Sequence, residues 1–87
     1  KIARKSSEAA MMVTNDREIR LRRAFSLSDR EVEIALMLFE GFNNRQIASA
    51  LNLSDGTARN YISAIYLKLG CDGRAEAIAK MRETLGN

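Results

Sequence analysis

In a chain of 87 residues with no histidine, the side chains best placed for selective chemistry are Arg59, Asn60 and Ser63. They sit in a stretch whose apolar residues recur at helical spacing. At about 100° per residue, Ala58, Ile62, Ile65 and Leu69 form one stripe and must point inward, with Gly56, Arg59, Asn60, Ser63 and Leu67 roughly opposite. Four of the five outward residues suit a surface that meets base edges. Arginine forks onto guanine, asparagine pairs bidentately with adenine, serine donates or accepts, and glycine lets a backbone come close. Leu67 is left to touch a thymine methyl, to pack on a dimer mate, or to stand exposed as single surface leucines often do.

Bond-making chemistry has little to work with. The absence of histidine removes Cys-His and Ser-His-Asp arrangements, and the single cysteine, Cys71, cannot form an internal disulfide or a metal site alone. Cys71 reads as a small apolar residue before the last helix, with a redox switch as the alternative. Carboxylate pairs such as Glu31 with Glu33, or Asp29 with Glu33, are better explained as a solvated helix face. No catalytic residue, metal or cofactor is expected, and the chain does not read as an enzyme.

Two helices must position the outward face. Asn43 is a good N-cap with Gln46 three residues on, as in a capping box, and Ile47, Ala50 and Leu51 follow at core-facing spacing. After Asn52 and Leu53, Ser54 offers a second N-cap, with Asp55 in the first turn where the helix dipole favours a carboxylate. Only Asn52, Leu53 and Ser54 separate the two segments, so their apolar faces fold toward each other as a helix-turn-helix. A second helix of about 14 residues is roughly 20 Å long and fits a major groove about 12 Å wide. Upstream, Ser28 and Glu31 form a capping box for a helix ending near Glu40. Gly41 and Gly70 stand where C-terminal caps are wanted. From Arg74 to Leu85 a last helix puts Ala77, Ile78, Met81 and Leu85 on one stripe. Gly73 is a poor N-cap for it, and Asp72 could serve one residue earlier.

From Leu27 to Ile78 the chain resembles the DNA-binding domain of the LuxR/NarL/FixJ (GerE-type) transcription regulators. The matching steps are Ser28 to Glu33, Gly41 to Asn44, Ile47 with Ala48, Ser54 to Thr57, and Lys68 to Gly70, followed by Arg74, Glu76 and Ala77. The resemblance implies an all-α fold, a four-helix bundle containing the helix-turn-helix, with an additional N-terminal helical segment. It divides the chain into a helical segment or linker over 1–24 and a DNA-binding domain over 25–87. Carried across position by position, base contacts fall on Arg59, Asn60 and Ser63, and phosphate contacts on Arg45, Thr57, Tyr61 and Lys68. Arg59 stands where lysine is usual, which keeps the charge and adds a planar fork. Ile34, Ala35 and Leu38, with Leu27 and Phe42, take the core positions. Val32, Leu36 and Phe39 form a second apolar stripe that needs a cover, either the N-terminal segment or a regulatory domain or partner subunit. The last helix commonly carries dimer contacts in this family, which makes Ala77, Ile78, Met81 and Leu85 the dimer candidates.

The implied function is sequence-specific binding of double-stranded DNA as a transcriptional regulator, with recognition helix 55–69 in the major groove. Such a domain is the C-terminal output domain of a response regulator or similar protein. Partners would be double-stranded DNA, a second copy of the chain, RNA polymerase and an N-terminal regulatory domain absent here, so the chain is a fragment or a stand-alone member. Two other readings stay open: a sigma-factor-like promoter-recognition domain, and a helical protein-interaction module that has lost DNA binding.

Charge supports the DNA reading through placement alone. Residues 1–24 carry seven basic and three acidic side chains, and residues 25–87 carry seven and eight, so the net +3 comes wholly from the N-terminal part. Within the motif region the balance is −3 from Asp29 to Glu40 and +2 from Arg45 to Lys68. The acidic helix should face away from DNA, and so few cations imply weak phosphate binding per copy and hence dimerisation. In the N-terminal part, Ser6 or Ser7 could cap one helix and Asn15 with Glu18 another. Met12, Ile19 and Leu21 would pack while Arg17, Arg20, Arg22 and Arg23 tether or touch phosphate. No apolar run approaches the roughly 18 residues of a membrane span, and nothing resembles a signal peptide, so a cytoplasmic location is expected.

Overall fold

The computed structural model describes residues 16–86, and among these the secondary structure is helical throughout. Five helices follow one another: α1 over 16–25, α2 over Asp29–Phe39, α3 over Asn44–Ala50, α4 over Asp55–Leu69 and α5 over Arg74–Leu85. The proposed caps of Ser6, Ser7 and Asn15, and the packing of Met12, lie outside the described residues.

The starts of α2, α3 and α4 follow their side-chain chemistry. Ser28 and Asn43 each accept an N–H from the third helical residue, and Glu31 and Gln46 each accept the cap's own N–H in return. Ser54 caps α4 by accepting from the Thr57 N–H. At α5 the N-cap is Gly73, which has no side chain to offer. Asp72 does not take over the role. Its backbone N–H instead donates to Glu76 Oε1 at 3.2 Å, because a helix beginning at Arg74 puts that carboxylate over the preceding loop.

The ends share one device. After α2, Gly41 adopts φ +98°, with the N–H of Phe42 reaching the Met37 carbonyl at 3.0 Å. After α4, Gly70 adopts φ +72°, with Cys71 reaching Tyr66 at 3.0 Å. These are Schellman closures, in which a left-handed residue lets the chain satisfy the last helical carbonyls. Gly86 (φ 78°) ends α5, and the other two closures use residues with a Cβ: Asn52 (φ 58°) ends α3 and Ser26 (φ 56°) ends α1. Asparagine tolerates that region, whereas serine sits there at a cost of about 1 to 2 kcal/mol.

Helix α4 is the centre of the assembly and packs on α2, α3 and α5, with α5 also packed on α2. Its inward stripe of Ala58, Ile62, Ile65 and Leu69 is buried as the spacing requires. In α3 the buried pair is Ile47 and Ala48, with Leu51 half-buried and Ala50 exposed, against the expectation for Ala50. The core-facing direction runs between Ile47 and Ala48, about 100° apart on the wheel, which turns Ala50 outward. Leu27, Ile34, Ala35 and Leu38 are buried and Phe42 is half-buried.

The second stripe of α2 is covered by the chain itself. Val32 is buried, and Leu36 and Phe39 pack half-buried against the core. The cover includes α1, whose Leu21 is fully buried and whose Arg17 guanidinium lies over the Phe39 ring. Ile19, expected to pack, is exposed instead: two residues before Leu21, it lies about 200° round the helix and faces away from the core.

Candidate nucleic-acid interface

Gly56, Arg59, Asn60, Ser63 and Leu67 are all exposed, while the stripe opposite them is no more than 3% exposed. The polarity of α4 is thus split cleanly along its axis. Arg59 enters no salt bridge among the described residues, nor does Arg45 on the neighbouring α3. Both guanidiniums are uncommitted. Gly56 lies in the first turn of α4, and a Cβ there would meet nothing within 4 Å. The fold makes no steric demand for glycine at that point, and its effect is to leave the backbone surface open.

A flank of α4 adjoins this face. Thr57, Asn60, Tyr61 and Ala64 line a shallow depression with Glu31 of α2. The Thr57 hydroxyl oxygen accepts from Ser54 Oγ at 2.9 Å, which leaves its own proton free to donate outward. Tyr61 is half-buried, with its ring packed against the core.

Of the phosphate candidates, Arg45 and Thr57 are exposed and Tyr61 partly so. Lys68 is exposed as well, its side chain 39% accessible, but its ammonium has partners within the chain. Its Nζ donates to Glu31 Oε1 at 2.7 Å and to the Ser26 carbonyl at 3.1 Å. The Lys68 hydrogen bond, followed by the backbone N–H of Ser28, holds the Glu31 carboxyl below the ordinary glutamate range. The sequence placed Glu31 in a capping box and on a solvated helix face; the capping box forms, but Glu31 is buried, and its partnership with Lys68 was not anticipated. The signal was present: on the helical wheel Lys68 lies about 120° from the centre of the outward face, closer to the buried stripe.

The cations of α1 are largely occupied as well. Arg20 pairs with Asp16 at 3.1 Å, Arg22 pairs with Asp29, and Arg17 is stacked on Phe39. On α5, Ala77, Met81 and Leu85 are buried within this one chain. Packing of α5 on both α2 and α4 consumes that stripe, so only Ile78, half-buried, retains surface among the four dimer candidates. Arg74 donates to the Phe42 carbonyl and fastens the start of α5 to the loop before α3. Cys71 is in the core, and burial pushes its thiol above the ordinary range, which disfavours the reactive thiolate. Among the described residues there is no cluster of metal-ligating side chains and no helix long and apolar enough to cross a membrane.

A short helix, a tight left-handed turn and a longer helix with one polar and one buried face define a helix-turn-helix domain. Residues 25–81 match the family model described as bacterial regulatory proteins, luxR family (GerE), and the chain belongs to that family. It is 44% identical over 57 residues to the transcriptional regulatory protein DesR of Bacillus subtilis (strain 168), covering 66% of this chain and 29% of that protein. It is 39% identical over 51 residues to the DNA-binding transcriptional activator DevR/DosR of Mycobacterium tuberculosis (strain ATCC 25618 / H37Rv), covering 59% and 24%. To the response regulator protein VraR of Staphylococcus aureus (strain NCTC 8325 / PS 47) it is 36% identical over 52 residues, covering 60% and 25%. The matched segment thus spans less than a third of the length of these relatives. No solved structure matches the chain.

Proposed function

We propose that this chain is the DNA-binding output domain of a transcriptional regulator, with α4 lying in the major groove of double-stranded DNA. The observation that carries the reading is the split of α4: an exposed row of Arg59, Asn60 and Ser63 opposite a stripe that is buried throughout. In the groove, Arg59 would fork onto a guanine and Asn60 onto an adenine, with Ser63 as a short third contact. Arg45, Thr57 and Tyr61 flank that row and would hold phosphates.

With two uncommitted arginines near the face, one copy would bind DNA weakly, so the working form is a homodimer on half-sites about one duplex turn, roughly 34 Å, apart. Ile78, with the exposed Ala75, Ala79 and Arg82 on the same side of α5, supplies the dimer contact. An input domain precedes this segment in the whole protein, in keeping with the small share of its relatives that it spans. The site is cytoplasmic, where the chromosome of a bacterium lies.

Selection of bound duplexes from a random pool, followed by footprinting, tests the proposal. The expected result is an enriched motif read on two half-sites with affinity that falls linearly in log salt. One observation favours a second reading, a protein-docking helix: Leu67 is 81% exposed on the same face. Salt-independent or absent binding to every duplex would favour that alternative.

A further inference from the structure

Two helices and a turn meet at one ammonium group. Lys68 Nζ, near the C-terminal end of α4, donates to Glu31 Oε1 at 2.7 Å and to the carbonyl of Ser26 at 3.1 Å. Two of its three donors are therefore committed within the protein. The same Oε1 also accepts the backbone N–H of Ser28 at 2.9 Å, while Ser28 Oγ accepts the N–H of Glu31 at 3.3 Å. The acceptors at Ser26 and Glu31 belong to a segment with little freedom. Ser26 holds the left-handed backbone that closes α1, and the Glu31 side chain is only 10% exposed. Breaking the contact would leave a nearly buried carboxylate without its cation, which is the costly way to lose such a pair.

We infer, on the reading of α4 as a DNA-facing helix, that Lys68 is a positioning residue: it fixes α4 against the α1–α2 turn and makes no phosphate contact. The geometry supports this in three ways. Lys68 lies seven residues beyond Tyr61 and off the row of Arg59, Asn60 and Ser63, where its ammonium meets the α1–α2 turn. Its partner is rigid, because a reciprocal capping box holds Glu31. A phosphate could take only the third donor unless it displaced hydrogen bonds of 2.7 and 3.1 Å and left Glu31 uncompensated. Because the Ser26 carbonyl is one of the two anchors, the orientation of α4 is also tied to the end of α1.

Salt titration separates the roles. Binding to a pool of random-sequence duplexes would be measured for the wild-type chain, for Lys68→Met and for the charge-neutral double variant Glu31→Gln/Lys68→Met. The measurements would be made at a temperature where circular dichroism shows each fully helical. The inference expects both variants to bind about three- to tenfold more weakly, the net scale of one ordinary hydrogen bond, with the wild-type slope of log affinity against log salt. A slope shallower by about 0.9 per subunit in the double variant would make Lys68 a phosphate ligand and overturn the inference. Wild-type affinity in folded Lys68→Met would reduce the bridge to a fold contact. Recovery in the double variant would reduce Lys68 to a counter-charge for Glu31. Either result also overturns it. Failure of the wild-type chain to bind DNA would overturn the underlying reading, and is visible in the wild-type arm alone.

Discussion

The Arg17 guanidinium carbon lies 5.3 Å from the centroid of the Phe39 ring, joining α1 to the far end of α2. Cation–π contacts of this kind contribute about 0.5 to 1 kcal/mol at partly exposed sites. One turn further on, Leu21 is fully buried among the core residues. A ring under a cation and a leucine under no solvent make α1 a lid on the Val32, Leu36 and Phe39 stripe. Leu21→Ala should therefore destabilise by about 2 to 4 kcal/mol, as core leucines do, and Arg17→Ala by under about 1 kcal/mol. Urea unfolding followed by circular dichroism measures both. A loss of under about 0.5 kcal/mol for Leu21→Ala, the size of an ordinary surface substitution, would show that α1 is dispensable and that the folded unit begins at α2.

How far this was legible in the sequence depended on whether local rules or distant partners decided each feature. The caps at Ser28, Asn43 and Ser54 were readable because the donor and the acceptor lie three residues apart. The inward stripe of α4 was readable because its four residues keep one period across the helix. The need for a cover over Val32, Leu36 and Phe39 was also readable, but its nature was not. A stripe says that it must be covered and not by what. Lys68 was assigned to phosphate by the family resemblance; its acceptors within the chain, Ser26 and Glu31, are 42 and 37 residues away in sequence. The α5 stripe was ambiguous for the same reason. Ala77, Met81 and Leu85 look the same in sequence whether a partner or the chain's own α2 and α4 buries them.

Acidification should act through Glu31. Its carboxyl is held below the ordinary value of 4.5, first by the Lys68 hydrogen bond and then by the Ser28 N–H. A carboxyl with a lowered folded-state pKa contributes stability that is present above the unfolded-state value and is lost as pH falls through the folded-state value. The wild-type chain should accordingly lose stability below about pH 4.5 more steeply than Glu31→Gln, which keeps a cap acceptor but no charge. Urea midpoints taken from neutral pH down to roughly pH 2 test this. Parallel acid limbs for the two proteins would remove Glu31 from the account.

Gly56 offers a test in which stability and binding move in opposite directions. A Cβ at this position meets nothing within 4 Å and its backbone is ordinary helix, so alanine fits without strain. Gly56→Ala should raise stability by up to about 1 kcal/mol through helix propensity. The added methyl group stands on the face proposed to approach DNA, where the open backbone is the feature glycine supplies. Binding to the selected duplex should weaken while the melting temperature rises. Improved stability with unchanged affinity would place the first turn of α4 outside the contact.

Arg59 and Arg45 are both without a salt-bridge partner among the described residues, yet they should fail differently. Arg59 sits in the row with Asn60 and Ser63, where a guanidinium reaches base edges. Arg45 is in the first turn of α3, beside the helix that enters the groove. Arg59→Ala should cost about 1 to 3 kcal/mol on the selected sequence, relax preference at one base pair, and leave binding to random DNA less affected. Arg45→Ala should weaken selected and random duplexes alike and reduce the salt slope by about 0.9 per subunit. Competition binding of both variants on the two kinds of duplex, across a salt series, measures the contrast. Equal losses for both variants on both duplexes would remove the division of labour between base and phosphate, and with it the placement of α4 in the groove.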